Sequence, residues 1–234
     1  MAKPAKRLLC FGHRGAAGHE PENTIAAVET GIALGADFIE VDVFPVEDEL
    51  VVIHDERLER TTNGSGYVTD HSLAYLRQLD AGDGQRIPLL REVIDTVHHR
   101  AGINVELKGA GTAKPVAELI NHYLASGWDT GEFLVSSFNH RELHLFKEQM
   151  PDIPIGALIV GIPLHYAYLA EELKAYSLNA DIEFLDEALV EDAHRRGLQV
   201  YVYTVNRRED IRRMETLGVD GVFTDFPEIV REVE

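Results

Sequence analysis

The sequence predicts an α/β protein of the TIM (β/α)8 barrel class, with a small insertion between the second strand and its helix. Three observations carry that expectation. Eight short apolar, β-branched runs alternate with amphipathic segments along the chain. The runs are apolar on both faces, as strands of a parallel sheet covered by helices must be. The chain has 234 residues, and eight strand–helix units in about 250 residues is the scale of a closed barrel. A doubly wound open sheet is the alternative. It would usually carry a Gly-rich phosphate turn after the first strand, and Gly12-His13-Arg14-Gly15 is not that fingerprint.

Residues 7–12 read as the first strand and 24–34 as its helix, with Asn23 or Thr24 as the N-cap. The second strand covers 37–45. The rhythm then breaks over roughly 48–88, where a possible short hairpin precedes a polar segment rich in Asp, Thr and Gly. This insertion would lie on the C-terminal side of the strands, the active-site face of a barrel. A helix follows at 89–100. Strand–helix pairs then occupy 103–107 and 114–125, 133–137 and 140–149, 155–160 and 167–174, 177–181 and 186–196, and 199–204 and 208–217. A last strand at 221–224 and a helix from Pro227 complete the series. No linker rich in Pro, Gly or Ser interrupts residues 1–234, which read as one domain.

The formal net charge is -18. Nucleic-acid binding needs Lys and Arg in quantity, so that class is excluded, and anionic membrane surfaces repel such a chain. An anionic substrate would need local positive charge, which a bound metal can supply. The single cysteine, Cys10, reads as a core residue and rules out an intrachain disulfide. The basic start is followed by an apolar run at 8–11 too short for a signal-peptide core. Residues 153–170 carry no Asp, Glu, Lys or Arg, but Pro154, Gly156, Gly161 and Pro163 break them into a buried strand and a loop. No stable membrane insertion is expected, and the location expected is cytoplasmic.

Charged residues cluster at strand ends. His13 and Arg14 end the first strand, and Glu40 and Asp42 lie within the second. His54 and Asp55 close the run 50–53, and Glu106 and Lys108 end the third strand. Charges in apolar strands are costly unless paired or bound to a metal. Glu40 and Asp42 are two apart and share a face, with Val41 and Val43 turned toward the helices. Three carboxylates meeting at one point repel unless a cation sits among them, and all-oxygen ligation suits Mg²⁺ or Ca²⁺. The alternative is a structural ion-pair cluster with Arg14 and Lys108. Two histidines beside such a cluster can serve as acid and base, while Arg14 and Lys108 can bind phosphate oxygens. His140 and His144, one helical turn apart, read as a helix surface, and Gly109 and Gly111 as a plain loop. His19 reads as either pocket lining or a solvated loop.

Read in order, several stretches form one pattern. They are His13-Arg14-Gly15, Glu22-Asn23-Thr24, Glu40 with Asp42, His54-Asp55, Arg60-Thr61-Thr62-Asn63-Gly64 and Glu106-Leu107-Lys108. Ser137-Phe138, Thr204-Val205-Asn206 and Thr224-Asp225-Phe226-Pro227 continue it. Over nearly its whole length the chain resembles the glycerophosphodiester phosphodiesterase family. The resemblance implies a TIM barrel that hydrolyses a small-molecule glycerophosphodiester, such as glycerophosphocholine or glycerophosphoethanolamine, to glycerol 3-phosphate and an alcohol. It implies His13 and His54 as the acid–base pair and Glu40, Asp42 and Glu106 as ligands of a divalent metal, Mg²⁺ or Ca²⁺. It implies phosphate contacts from Arg14 and Lys108, and a pocket walled by Phe138 and by Tyr203, where many members have Trp. The short insertion, beside those of exported members, implies a small, open pocket. Attack by the glycerol 2-hydroxyl through a cyclic phosphate is the expected chemistry, with direct water attack the variant. Two other readings share the barrel. A phospholipase of the phosphatidylinositol C or D type would need an apolar rim, of which little shows beyond 162–168. A non-catalytic phosphate-binding barrel would not need all five of the histidines and carboxylates.

Overall fold

The structure, a computed structural model, describes residues 7–233; the start of the chain, on which the signal-peptide expectation partly rests, lies outside them. Eight parallel strands close into a barrel: β1 (Leu9–Gly12), β2 (Phe38–Val46), β4 (Gly102–Leu107), β5 (Phe133–Ser137), β6 (Ile155–Ile159), β7 (Ser177–Asp181), β8 (Gln199–Tyr203) and β9 (Gly221–Thr224). Closure comes from β1, which pairs with β9 through Cys10 and Val222 and with β2 through Phe11 and Phe38. The open-sheet alternative is thereby excluded. β3 (Glu49–Val52) is no part of the wall. It runs antiparallel on the far end of β2, pairing Val52 with Val43.

The connecting helices are α1 (Ile25–Ala33), α3 (Leu90–Val97), α4 (Ala113–Ala125), α5 (His140–Gln149), α6 (Tyr168–Glu172), α7 (Glu187–Arg195), α8 (Arg208–Leu217) and α9 (Glu228–Val233), with a one-turn helix, α2 (Leu73–Leu76), in the insertion. Predicted and observed elements agree to within a few residues. The largest difference is at α3, expected to reach residue 100. It stops at Val97 because His98 (φ 44) and His99 (φ 61) are both left-handed, a conformation that cannot continue a right-handed helix.

Alternation along each strand sorts the side chains into two cores. Ile39, Val41, Val43, Ile103, Val105 and Leu107 face the helices in the main core. Inside the barrel, Phe11, Leu134, Tyr201 and Phe223 form an aromatic floor. The Phe11 ring lies 4.6 Å from Phe223 and 4.7 Å from Tyr201, centroid to centroid. Each such ring contributes roughly 1.5–3 kcal/mol by leaving water. The floor also shuts the barrel below the mouth, so charged side chains from the strands' C-terminal ends meet in a water-poor space.

The segment between β2 and α3 is less polar than its sequence reads. Phe44, Val51, Ile53, Leu58, Val68, Leu76 and Ile87 pack into a separate core, which fixes the insertion against the barrel rim.

Candidate active site

The site begins at the turn after β1. Gly15 is left-handed (φ +89), and a Cβ on Gly12 would stand 2.3 Å from the Gly15 carbonyl oxygen. Only glycine permits that fold-back. It brings the Arg14 N–H onto Glu40 Oε2 at 2.8 Å and leaves His13 on the barrel mouth.

The register sets Asp42 level with Glu106 across β2 and β4, with Glu40 one inward-facing step below. All three are buried. One carboxylate oxygen from each lies within 4.8 Å of the others; among the described residues this is the one group of acidic, His or Cys side chains so arranged. Lys108 Nζ sits 2.6 Å from Glu106 Oε1 and 3.3 Å from Asp42 Oδ1, and Arg14 Nε is 3.5 Å from Asp42 Oδ2. Burial and then the Asp42 charge push the Glu106 carboxyl up to about 7. Burial, with the charges of Asp42 and Glu106, raises Glu40 well above the usual carboxylate range. Asp42 goes the other way. Burial would raise it, but Lys108, His54, Arg14 and an Asn23 hydrogen bond outweigh that.

These carboxylates fit a hard divalent cation. Glu40 Oε1 and Asp42 Oδ1 are buried without a hydrogen bond; Asp42 Oδ1 has Lys108 as an ion-pair partner at 3.3 Å, but Glu40 Oε1 has none, and a buried unpaired oxygen is costly. The donor set is all oxygen, as Mg²⁺ or Ca²⁺ requires. Lys108 and Arg14 make the ion pairs of the structural alternative, and Lys108 reaches Asp42 Oδ1, yet Glu40 Oε1 is left without a partner.

His13 Nδ1 lies 2.7 Å from Asp225 Oδ1, and Asp225 Oδ2 accepts from Asn206 Nδ2 at 2.5 Å. Burial would raise the Asp225 carboxyl, but His13 and Asn206 hold it below its ordinary value. An ionised carboxylate only accepts, so Nδ1 carries the proton and Nε2 is left as the acceptor. His54 follows the same rule, with Nδ1 2.5 Å from Asp55 Oδ1. Arg60, and secondarily His54, hold Asp55 far down in the acidic range. Burial pushes the His54 imidazole below its ordinary value, favouring the neutral ring.

His54 comes from the hairpin expected at the start of the insertion, outside the barrel wall. It follows β3, where the Ile53 N–H bonds the Asp42 carbonyl at 3.0 Å, so the hairpin returns it to the mouth. A cavity of about 270 Å³ is lined by His13, Arg14, Glu40, His54, Glu106 and Lys108, with Phe138 and Tyr203 as walls. An outer cavity of about 720 Å³ shares His54, Glu106, Lys108 and Phe138 and adds Phe44 and residues 55–57. Every predicted site residue therefore borders one space, except Asp42, which is buried beside Glu40 and Glu106.

Other sequence features go elsewhere. His19 is at the surface, 3.0 Å from Glu228. His140 is more than helix surface, since its Nε2 contacts the Leu158 carbonyl at 2.9 Å, whereas His144 is exposed. Behind Gly109 and Gly111, the buried carboxylate of Glu142 accepts from Gly111 N and Ala113 N at 2.9 and 3.0 Å. That fills the start of α4 and leaves no anion site there. Thr24 is the N-cap of α1. Asn23 instead holds Asp42, giving Nδ2 to Oδ2 at 2.8 Å and taking the Asp42 N–H at 3.2 Å. Asn23 was read only as a candidate N-cap, and Glu22, Arg60, Asn206 and Asp225 had no role from spacing; their places in the family-like stretches were the available signal.

Fold and site together define a class, the barrel enzymes that handle charged small molecules at the C-terminal mouth. Residues 13–229 match the Glycerophosphoryl diester phosphodiesterase family. The glycerophosphodiester phosphodiesterase of Bacillus altitudinis is 39% identical over 236 residues, spanning 93% of this chain and 94% of the relative. That of Caldanaerobacter subterraneus is 38% identical over 233 residues, spanning 95% and 96%. A solved phosphodiesterase of Oleispira antarctica, in complex with the product sn-glycerol-3-phosphate, superposes with a TM-score of 0.87 at 30% identity, covering 96% of this chain and 95% of that one. The chain belongs to the glycerophosphoryl diester phosphodiesterase family.

Proposed function

We propose that this protein hydrolyses glycerophosphodiesters, glycerophosphocholine and glycerophosphoethanolamine among them, to sn-glycerol 3-phosphate and an alcohol. One observation supports this above the rest. Two histidines, each with Nδ1 on an aspartate, border the same cavity as the buried carboxylates. Glu40, Asp42 and Glu106 would hold Mg²⁺ or Ca²⁺, which supplies positive charge against the phosphate oxygens. Arg14 and Lys108 add two fixed cations for the same oxygens. Phe138 and Tyr203 wall the substrate, and the outer cavity has room for the alcohol portion.

One imidazole Nε2 removes the proton of the glycerol 2-hydroxyl, and that oxygen attacks phosphorus in line. The other histidine enters this step as the imidazolium, protonated on Nε2 as well as Nδ1, and gives the Nε2 proton to the departing alcohol. The cyclic phosphate formed is opened by water with the two histidines exchanging roles. The single cysteine, a buried thiol pushed up to about 12 by burial, fits a reducing compartment, and we place the enzyme in the cytoplasm. Release of sn-glycerol 3-phosphate from glycerophosphocholine, measured with and without EDTA, tests the activity. Release should stop with EDTA and return with Mg²⁺ or Ca²⁺. His13→Ala and His54→Ala should each lower kcat by about 10²–10⁴-fold with the fold kept. EDTA-insensitive release, or none from the metal-loaded protein, overturns the reading.

A further inference from the structure

Behind His54 stands a row of side chains with alternating charge. Asp55 takes the imidazole on Oδ1. Arg60 grips the same carboxylate with Nε on Oδ2 at 2.6 Å and Nη2 on Oδ1 at 3.0 Å. The rest of the Arg60 fork lies on Glu22, with Nη1 2.7 Å from Oε2 and Nη2 2.8 Å from Oε1. Glu22 Oε1 also accepts from Arg14 Nη1 at 2.6 Å. Asp55 and Arg60 belong to the insertion, Arg14 and Glu22 to the β1–α1 loop. The row therefore joins His54 to a phosphate-facing cation on a different part of the fold.

We infer that Arg60 and Glu22 are positioning residues: Arg60 fixes the Asp55 carboxylate that orients His54, and Glu22 locks that assembly to Arg14. Stability alone does not account for the arrangement. Arg60 is 47% exposed, and exposed ion pairs add little to a fold. A two-pronged guanidinium–carboxylate contact, however, fixes direction as well as distance. Asp55 sits on a loop and would otherwise be free to rotate, and the imidazole with it. Partners of this kind, one bond removed from the reacting group, typically change activity by about 10- to 100-fold. Glu22 differs from Arg60 in touching both ends. Its loss frees Arg14 as well as Arg60, so substrate binding and turnover should both suffer.

The kinetic arm rests on the phosphodiesterase reading; the spectroscopic arm does not. With glycerophosphocholine, Arg60→Gln should lower kcat by about 10- to 100-fold with KM unchanged, and Arg60→Lys should recover part of the loss. Glu22→Gln should raise KM and lower kcat. A double-mutant cycle then asks through which residue Arg60 acts. The p-nitrophenyl ester of glycerol 3-phosphate, whose good leaving group raises the basal rate, keeps His54→Ala measurable. In that background Arg60→Gln should change kcat no further. The same fold-loss with and without His54 overturns the inference, because it marks a merely structural role. Independently, ¹⁵N-resolved NMR of the imidazole should show a downfield, exchange-protected His54 Nδ1–H in the parent protein and its loss in Arg60→Gln. A signal unchanged in that variant also overturns it, whatever diester the enzyme cleaves.

Discussion

Asn23 stands left-handed (φ 59) and almost fully buried, with both ends of its amide on Asp42. Asparagine tolerates that backbone better than other side-chain-bearing residues. The Asn23→Ala variant keeps the strained φ and removes a donor and an acceptor from buried partners. It should cost about 1–3 kcal/mol in denaturant unfolding and weaken divalent-metal binding about tenfold or more by titration calorimetry. Normal stability and affinity would show that Asp42 needs no such holder. Residues of this kind mark the limit of reading a site from sequence. Glu40 and Asp42 were legible because a strand's period of two puts both on one face. Asn23 was not, because the side chain beside a helix start can cap the helix or turn away, and only the chain's path decides. Asp225 and Asn206 were hidden for a related reason. Strand closure sets β9 against β1, 212 residues from Asp225 back to His13.

Among the elements, the barrel strands and most helices were legible from alternation and amphipathic spacing, and so were the place of the insertion and its hairpin, but the insertion's own core was not. Its polar residues face water, while its apolar ones are too widely spaced to show a period. They still build a core around Leu58, Val68 and Leu76. Leu76 is fully buried there. Leu76→Ala should therefore cost about 2–5 kcal/mol within the insertion. Hydrogen exchange should show lost protection over residues 48–88 with the barrel strands unaffected, and kcat should fall because His54 loses its mount. Uniform loss of protection would mean that the insertion and barrel unfold as one unit.

At the scale of the whole molecule, a chain of charge -18 concentrates its site cations, Arg14 and Lys108, over three buried carboxylates. The pH dependence follows from Glu106 and Glu40, both raised above their ordinary 4.5. A raised carboxyl favours the protonated folded state. The stabilisation is complete below the unfolded value and disappears as pH rises through the folded one, about 7 for Glu106. The EDTA-treated protein should thus lose Tm as pH rises from 4.5 through about 7. Added Mg²⁺ or Ca²⁺ should restore more Tm at the upper end, since the cation must displace a proton to bind. A Tm that rises over that range without metal would place the proton elsewhere.

The delivery of His54 by a hairpin outside the barrel wall has one further consequence. The same excursion supplies the His54 imidazole, proposed above to move a proton, and the side of the outer cavity formed by residues 55–57. On the proposed reading, lengthening or swapping that excursion should alter leaving-group selectivity and proton handling together, while the carboxylates and cations carried by β1, β2 and β4 stay in place. The fold is thus divided into a fixed chassis and an exchangeable cassette, and redesign for bulkier alcohols has its natural cut points at the two ends of that cassette.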